Sequence, residues 1–292
     1  MVANQTCAVV ITFHPDEEVF KNIEKLRSQV QALVVVDNGS LPESLTLLRR
    51  ASVETQFHLI ENGENLGIAT ALNIGIRWAE QNTYPWVILF DQDSTITDAF
   101  METMLRAYET HPHRDSLAIL VPRYVDQRLG SPIPPILAKS GTLEAAMTSG
   151  SLMRISSFLQ HGPLEDGLFI DAVDYEYSLR VRCNGYLISE CPQAVLLHSP
   201  GTPKVHTLFG MYLFQTSNYT PIRRYYQMRN YTWIARRYWK KYPHFCLKLV
   251  ISNMTNLIKI LFAEDRKWEK YCYSTVGILD GLRGRMGKTN RF

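Results

Sequence analysis

Short runs of consecutive apolar, mostly β-branched residues divide the first hundred residues of the chain. They are AVVITF at 8–13, ALVVV at 32–36 and WVILF at 86–90, and a shorter strand is predicted at 57–61. Runs this short and this apolar are typical of strands that are buried on both faces of a parallel sheet. A segment with helical spacing of its apolar residues lies between the last two, at 67–81. This alternation predicts an α/β fold with a mostly parallel central sheet.

The chain beyond residue 100 gives weaker signals for regular structure. We predict a long surface loop over 122–135, where Pro, Gly and Arg are frequent. A strand is predicted near 146–154, a helix over 171–183 and a further strand over 194–197. The helix is expected to end at the pair Asn184-Gly185, a common stop signal.

Composition and cysteine usage narrow the class of protein. The sequence is 46% hydrophobic and 20% charged, with a net charge of +3, which fits a packed globular protein rather than a disordered one. Its 5 cysteines form no CxxC pair, so neither a disulfide framework nor a zinc knuckle is expected. The first residues carry no basic segment of the kind that begins a signal peptide. We therefore expect a protein of the reducing cytoplasm.

The charge distribution changes towards the C-terminus. Residues 191–263 contain no Asp or Glu but ten Lys or Arg, interleaved with Tyr, Trp and Phe. We predict two domains, 1–210 and a helical, basic and aromatic region over 211–292. The second region would suit an anionic membrane surface or the diphosphate of a lipid-linked compound, although a solvated helical face explains part of the pattern. Lys248 and Lys259 interrupt the longest apolar run, so a transmembrane helix is not expected, and no base-reading motif indicates nucleic acid.

Acidic residues follow two of the predicted strands. Asp37 follows the second, and Asp91 and Asp93 follow the fourth, at the strand ends where open parallel sheets bind their ligands. Two carboxylates separated by one residue can hold a Mg²⁺ or Mn²⁺ ion that neutralises a nucleoside diphosphate. The alternative is an Asx turn that caps the next helix.

Seven motifs follow one another along the chain. They are VVITFHPD (9–16), VVVDNGS (34–40), NLGIATALNIGI (65–76), FDQDS (90–94), TSGSLMR (148–154), FIDAVDYEYSLRVRCNGY (169–186) and LLHSPG (196–201). This ordered set resembles the family-2 glycosyltransferases, which have the GT-A fold. Within the family, FHPD, DQDS and YYQMRN are most similar to bacterial rhamnosyltransferases that use dTDP-L-rhamnose. The resemblance implies a Rossmann-like GT-A domain, here with a C-terminal helical extension.

The resemblance also implies roles for individual residues in binding the nucleotide sugar and the metal. The implied donor-binding residues are Thr12, Asp37, Asn38, Asn65, Gly67, Asp91 and Arg229, and the implied ligands of Mg²⁺ or Mn²⁺ are Asp91, Asp93 and His198. Some of these residues also fit a purely structural role. Residues 65–67 suit a simple helix entry, and a lone histidine at a strand end is often structural.

Transfer with inversion needs a general base, and the matched motif assigns that role to Asp174. From the residues alone, Asp171 and Asp174 could equally cap the predicted helix. Glu176 would orient the acceptor or pair with Arg180. Ser149 and Gly150 would approach the acceptor closely, although a plain turn fits them as well.

We therefore expect an inverting glycosyltransferase that moves a sugar from a nucleotide-sugar donor to a saccharide or lipid-linked acceptor. The expected donor is dTDP-L-rhamnose, and the expected location is cytoplasmic, peripheral on the inner face of the cell membrane. Alternatives are a transferase of another sugar from a UDP or GDP donor and a nucleotidyltransferase. A non-catalytic sugar-nucleotide-binding protein is disfavoured because Asp93 and Asp174 are both present.

Overall fold

The computed structural model describes residues 5–138, 140–198, 204–208 and 211–292. By its internal contacts the chain divides into two compact units. The N-terminal unit comprises Met1–Asp166 and Val173–Ser199, and the C-terminal unit comprises Gly167–Ala172 and Pro200–Phe292. The predicted domain boundary between 210 and 211 stays a prediction.

An eight-stranded sheet forms the centre of the N-terminal unit, with strand order β3-β2-β1-β4-β9-β6-β10-β5. Its strands are β1 Thr6–Thr12, β2 Ala32–Asp37, β3 His58–Glu61, β4 Trp86–Asp91, β5 Ser94–Ile96, β6 Leu117–Asp126, β9 Leu152–Arg154 and β10 Leu187–His198, and a separate small pair consists of β7 Ile136–Leu137 and β8 Leu143–Ala145. The helices of this unit are α1 Glu17–Arg27, α2 Pro42–Thr55, α3 Ile68–Gln81, α4 Phe100–Glu109, α5 Ile155–His161 and α6 Val173–Cys183.

The apolar runs of the sequence form the buried middle of this sheet. β1 and β2 are buried along their whole length, and β1 pairs in parallel with both β2 and β4. Helix α1 begins where Asp16 accepts hydrogen bonds from the amides of Glu18 and Val19. Helix α3 packs closely on the sheet because Gly75 faces Val9, where any larger residue would clash. The predicted α/β fold class is confirmed.

Several predictions for the later strands of this unit were wrong in extent. The strand expected over 146–154 is only Leu152–Arg154, and it runs antiparallel to both β4 and β6. The strand expected over 194–197 is part of the longer β10, which has a bulge between Cys191 and Val195. Strand β6 continues to Asp126, into the region predicted as loop. The apolar run LAILV at 117–121 of β6 was not recognised as a strand, β9 has only three residues, and β10 mixes polar and apolar residues.

The described part of the C-terminal unit contains an antiparallel hairpin and three helices. The hairpin strands are β11 Lys204–Leu208 and β12 Met211–Thr216, and the helices are α7 Pro221–Tyr238, α8 Pro243–Ala263 and α9 Lys267–Arg283. Helix α7 begins after Thr220, whose hydroxyl accepts from the amide of Arg223. Gly277 and Gly281, one turn apart on α9, lie against backbone carbonyls of α7, so no side chain fits between the helices there. The helical character was predicted, whereas the hairpin was not.

A buried ion cluster joins the three helices of this unit. Glu264, which directly follows α8, pairs with Arg224 of α7 and with Lys270 of α9, and the Nζ of Lys270 lies 3.0 Å from Glu264 Oε2. All three side chains are at most 3% exposed. Lys270 also donates to the side-chain oxygen of Asn218 at 2.6 Å. Each buried charge therefore has a partner, as low-dielectric surroundings require.

Helix α8 is long and apolar enough to cross a membrane by length and composition, and no other helix in the described part of the chain is. It meets this criterion although Lys248 and Lys259 lie within it, and the absence of a transmembrane helix stays a prediction.

Candidate active site

The carboxyl ends of three neighbouring parallel strands bring the predicted donor-binding residues together. Thr12 at the end of β1 stands opposite Asp37 at the end of β2, and Ile11 stands opposite Asp91 at the end of β4. These ends form one edge of the sheet, which is where ligands bind in open α/β sheets.

Asp37 is buried and holds the turn that follows β2. Its carboxylate accepts from the amides of Gly39 and Ser40 at 3.1 and 2.8 Å, from the hydroxyl of Ser40, and from the hydroxyl of Thr12 at 3.3 Å. Gly39 has a φ of 92° and lies against the backbone of residues 64–65, so glycine is required there on both counts. These contacts use both oxygens of Asp37 to shape the turn.

Asn38 joins this turn to the loop before α3. Its Nδ2 donates to Asn65 Oδ1 at 3.1 Å, and its Oδ1 accepts from the side chain of Asn62 and the amide of Leu66. Asn65 Oδ1 also accepts from the amide of Gly67, which has a φ of 88° and precedes the first residue of α3. The predicted donor residues Asn38, Asn65 and Gly67 are therefore one connected group.

Two of the three predicted metal ligands lie side by side. Asp93 Oδ1 is 3.6 Å from His198 Nδ1, and Asp93 is about half exposed, whereas His198 is mostly buried. His198 Nδ1 also lies 3.2 Å from Ser94 Oγ. Within the described residues no group of three or more His, Cys, Asp or Glu side chains is placed to hold a metal ion. Asp91, the third predicted ligand, therefore does not join the other two in such a group.

The chemistry of this pair nevertheless fits a divalent transition metal. A carboxylate oxygen and an imidazole nitrogen are ligands that Mn²⁺ accepts, whereas Mg²⁺ prefers oxygen alone. A two-residue protein site leaves coordination positions for phosphate oxygens and water.

The loop before β9 is fixed beside this pair. Ser149 Oγ shares a hydrogen bond of 2.7 Å with Ser94 Oγ and accepts one from the amide of Asp91. The amide of Gly150, which has a φ of 79°, donates to the carbonyl of Leu89 at 2.6 Å. The hydroxyl of Tyr124 donates to the carbonyl of Ser149 at 2.8 Å. Ser149 is buried, so its contacts here are with the protein itself.

The predicted base lies near these residues. Asp174 is in the first turn of α6, and its carboxylate accepts from the amide of Tyr175 at 2.8 Å. Burial raises the pKa of Tyr124 well above its ordinary value, and the negative charges of Asp174, Asp91 and Glu190 raise that pKa further. Asp174 and Asp91 therefore both lie close enough to the Tyr124 phenol for their charges to raise its pKa.

Glu176 is occupied by an ion pair. Its carboxylate accepts from the guanidinium of Arg180, with the closest approach at 2.8 Å, and the side chain is 1% exposed. Arg180 also donates to the carbonyls of His161 and Pro163. Of the two roles considered for Glu176, the structure contains the pairing with Arg180, and this burial leaves its acceptor role without geometric support.

The short segment Gly167–Ala172 belongs to the C-terminal unit and ends immediately before α6. Asn230 Nδ2 donates to the carbonyls of Leu168, Ile170 and Asp171, and Arg223 pairs with the carboxylate of Asp171 at 3.1 Å. The backbone of Asp171 is left-handed, with a φ of 64°. Asp171 thus pairs with Arg223, an arrangement that the capping hypothesis did not anticipate.

Arg229 has a supporting position within the same unit. It is fully buried, and its guanidinium donates to the carbonyls of Gly167, Leu168 and Gly287 and to the side chain of Asn230. Burial lowers its pKa, and the nearby Tyr225 opposes that shift. Its predicted contact with the donor therefore has no geometric support, because these contacts already use the guanidinium.

Sequence reasoning missed two residues beside this site and one buried polar residue of the C-terminal unit. Ser94, Tyr124 and Asn230 were not singled out, although Ser94 lies in the FDQDS motif and Asn230 ends YYQMRN. Membership of these motifs was the available signal for two of them. Tyr124 lay in a segment predicted to be loop, so nothing in the sequence indicated its burial. The last residues of the LLHSPG motif, 199–201, lie outside the described residues.

Comparisons with known proteins show the family of this chain. Residues 7–154 match the family model of Glycosyl transferase family 2. The chain is 28% identical to the dTDP-rhamnosyl transferase RfbF of Shigella flexneri, over 96% of each protein. It is 26% identical to the low-salt glycan biosynthesis hexosyltransferase Agl10 of Haloferax volcanii, over 97% of this chain and 93% of that protein.

The fold is similar to that of the mannosyltransferase PcManGT from Pyrobaculum calidifontis, solved in complex with GDP-Man and Mn²⁺. The TM-score is 0.57 at 12% identity, over 96% of this chain and 88% of that one. The protein therefore has the fold of GT-A glycosyltransferases, with a carboxylate–imidazole pair at a strand end of its sheet. The chain belongs to glycosyl transferase family 2 and is a glycosyltransferase.

Proposed function

We propose that this enzyme transfers L-rhamnose from dTDP-L-rhamnose, with inversion at the anomeric carbon. The observation that carries the proposal is the 28% identity to a dTDP-rhamnosyl transferase over 96% of both proteins. The similarity to a hexosyltransferase over nearly the same length favours, as a second candidate, transfer of another hexose from a UDP or GDP donor. Both candidates use the same type of site.

The donor would bind at the edge of the sheet formed by the ends of β1, β2 and β4. The proposed donor-binding residues are Thr12, Asp37, Asn38, Asn65, Gly67 and Asp91. Asn38 and Asn65 are hydrogen-bonded to each other, so a change at one of them disturbs the position of the other. The amides at the start of α3 are suited to an anionic group, because a helix N-terminus carries a partial positive charge.

Asp93 and His198 would hold a divalent metal ion, and we favour Mn²⁺ because one ligand is an imidazole nitrogen. Asp91, also predicted as a ligand, would contact the metal or the ribose. A bound metal ion supplies positive charge that stabilises the departing nucleoside diphosphate. The support for metal use is the chemistry of the pair and the Mn²⁺ named with the related fold of PcManGT.

Asp174 would act as the general base. An acidic side chain in the first turn of α6, partly exposed, can accept the proton of an acceptor hydroxyl as that hydroxyl attacks the anomeric carbon. A single displacement from the face opposite the leaving group inverts the configuration. The acceptor-binding part of the site would be shaped by Ser149, Gly150 and Glu176. These residues would act by holding the backbone around them in place and would not contact the acceptor with their own polar atoms.

The proposed acceptor is a saccharide or a lipid-linked saccharide at the cytoplasmic face of the cell membrane. Support comes from the exposed cations Arg236, Arg237, Lys240 and Lys241 and from the absence of acidic residues over 191–263. Each basic residue near an anionic surface contributes on the order of 1 kcal/mol to attachment.

Thermal unfolding with a panel of nucleotide sugars tests the donor assignment. A ligand that binds only the folded protein raises its stability by about 2.7 kcal/mol at one hundred times its dissociation constant. We expect dTDP-L-rhamnose with Mn²⁺ to raise the melting temperature by several degrees, and UDP-glucose or GDP-mannose to have little effect. A larger rise with a UDP or GDP sugar than with dTDP-L-rhamnose would establish the second candidate instead.

A further inference from the structure

Helix α8 presents a continuous apolar stripe to solvent. Its members are Leu247, Ile251, Met254, Ile258 and Phe262, which are 45–84% exposed. They are spaced by three or four residues, so they lie along one side of the helix for about four turns. Single exposed apolar residues are ordinary, but a contiguous stripe of this length marks a surface that another apolar phase covers.

The opposite side of α8 is packed within the C-terminal unit. Phe245, Leu249 and Ile260 are buried, and Asn253 Nδ2 donates across to the carbonyl of Met228 and the hydroxyl of Thr232 on α7. A helix that crosses a bilayer by itself is surrounded by lipid, whereas α8 is held to its unit along one side. Its apolar stripe can therefore enter a bilayer only from the side, with the helix axis in the membrane plane.

An apolar groove of about 530 Å³ continues this surface. Helices α7, α8 and α9 and the adjoining Trp239 line it. Thr232, Arg236 and Asn253 are its polar lining residues, and the others are apolar: Ala235, Trp239, Val250, Met254, Leu257, Ile278 and Leu282. Met254 belongs to both the stripe and the groove, so the two form one apolar surface.

Charges and aromatic residues around this surface match a lipid headgroup layer. Exposed Arg236, Arg237, Lys240, Lys241 and Lys248 lie on α7, on α8 and between them. Trp239 and Trp268 flank α8 in the sequence, four residues before its start and five after its end, and are 48% and 69% exposed. Tryptophan is enriched where apolar and polar layers of a membrane meet.

We propose that α8 is a monotopic membrane element, whose stripe and groove enter the acyl layer of an anionic bilayer while the flanking cations contact its headgroups. This deepens the proposed membrane location and rests on it. A bilayer is favoured over a second copy of the chain. In a twofold contact through this surface, the cations of one copy would lie close to the same cations of the other and repel them. Headgroup phosphates instead neutralise them.

Vesicle sedimentation at two salt concentrations tests the insertion. At about 1 M salt the screening length falls to about 3 Å, so attachment by charge alone disappears while apolar insertion persists. We expect the wild-type protein to sediment with phosphatidylglycerol-containing vesicles at low salt and to remain partly bound at high salt. The double variant Met254→Asp/Ile258→Asp should lose the salt-resistant binding, by about a hundredfold in partition coefficient, because burying each side chain contributes about tenfold or more.

The matched control is Val53→Asp/Leu129→Asp, which places two aspartates at exposed apolar positions of the N-terminal unit, 79% and 75% exposed. It should bind vesicles as the wild type does. All three proteins should share one melting temperature, because each substituted side chain is exposed, and should transfer sugar to a short soluble acceptor equally.

Four results would overturn the proposal. Two concern the wild type alone: absence of binding at low salt, and complete release at high salt. The other two are salt-resistant binding that survives Met254→Asp/Ile258→Asp, and a wild-type dimer in solution that this variant makes monomeric. The last would assign the surface to a second copy. If none of the proteins transfers sugar to the soluble acceptor, the proposed function fails, whatever the vesicles show.

Discussion

The carboxylate of Asp93 and the imidazole of His198 meet from distant parts of the sequence, because β5 and β10 pair antiparallel at the edge of the sheet. In that pairing Ser94 stands opposite His198, and the Asp93 side chain lies beside the imidazole. The register of two strands therefore creates the pair, and a shift by one residue would turn His198 to the other face.

We predict that Asp93→Asn removes Mn²⁺-dependent donor binding and leaves the fold intact, because Asp93 is about half exposed. Loss of a residue that only supports a metal ligand costs about 10–100-fold in affinity, so loss of a direct ligand should cost at least about 100-fold. Donor titration with Mn²⁺ and with EDTA measures this. Asp98→Asn, at a side chain that is 98% exposed, is the control and should titrate as the wild type does. Normal donor affinity in Asp93→Asn would refute the metal assignment.

For Asp174→Asn we expect unchanged donor binding and a loss of transfer of at least about a hundredfold, the usual scale for a positioned base. If Asp174 serves only the first turn of α6, the variant should instead melt at a lower temperature and turn over almost normally. Turnover, donor affinity and melting temperature measured on one preparation distinguish these roles.

At the scale of elements, α7 organises the C-terminal unit through buried polar side chains. Asn230 and Arg229 bind the carbonyls of Gly167–Ala172, and Arg224 binds the ion cluster that also contains Glu264 and Lys270. A buried donor is favourable only where it meets an acceptor, so these contacts specify one arrangement of the helices.

We predict that Glu264→Gln lowers the free energy of unfolding by about 3–5 kcal/mol, because it leaves the buried charges of Arg224 and Lys270 without their carboxylate. Glu269→Gln removes an exposed pair with Arg266 in the same unit and should cost less than about 1 kcal/mol. Denaturant unfolding of both variants tests the difference. Equal losses would mean that the cluster contributes no more than a surface pair.

Local pattern was sufficient to predict β1, β2 and β4, because strands buried on both faces read as apolar runs and end where polar residues begin. It was insufficient for β9 and β10. The three residues of β9 have no period to detect, and β10 carries Glu190 and Gln193 among its apolar residues. Arg229 is buried against backbone carbonyls that are distant in the sequence, and Glu176 pairs with Arg180 one helical turn away. The spacing of residues along the sequence did not decide between these contacts and the roles predicted for the two residues.

At the scale of the whole molecule, the two units carry different parts of the proposed activity. The N-terminal unit contains the strand ends, the Asp93–His198 pair and Asp174, and the family match at 7–154 lies within it. The C-terminal unit contains the exposed cations of α7, of α8 and of the segment between them, together with the apolar stripe of α8. Donor chemistry and membrane attachment should therefore respond to different substitutions.

The most direct test of the central claim is the anomeric configuration of the product, read by proton NMR after incubation with dTDP-L-rhamnose, Mn²⁺ and an acceptor saccharide. We predict a rhamnosyl product whose anomeric configuration is inverted relative to the donor, and no product with Asp174→Asn on the same time scale. A product that retains the donor's configuration would contradict the single displacement, and with it the role of Asp174.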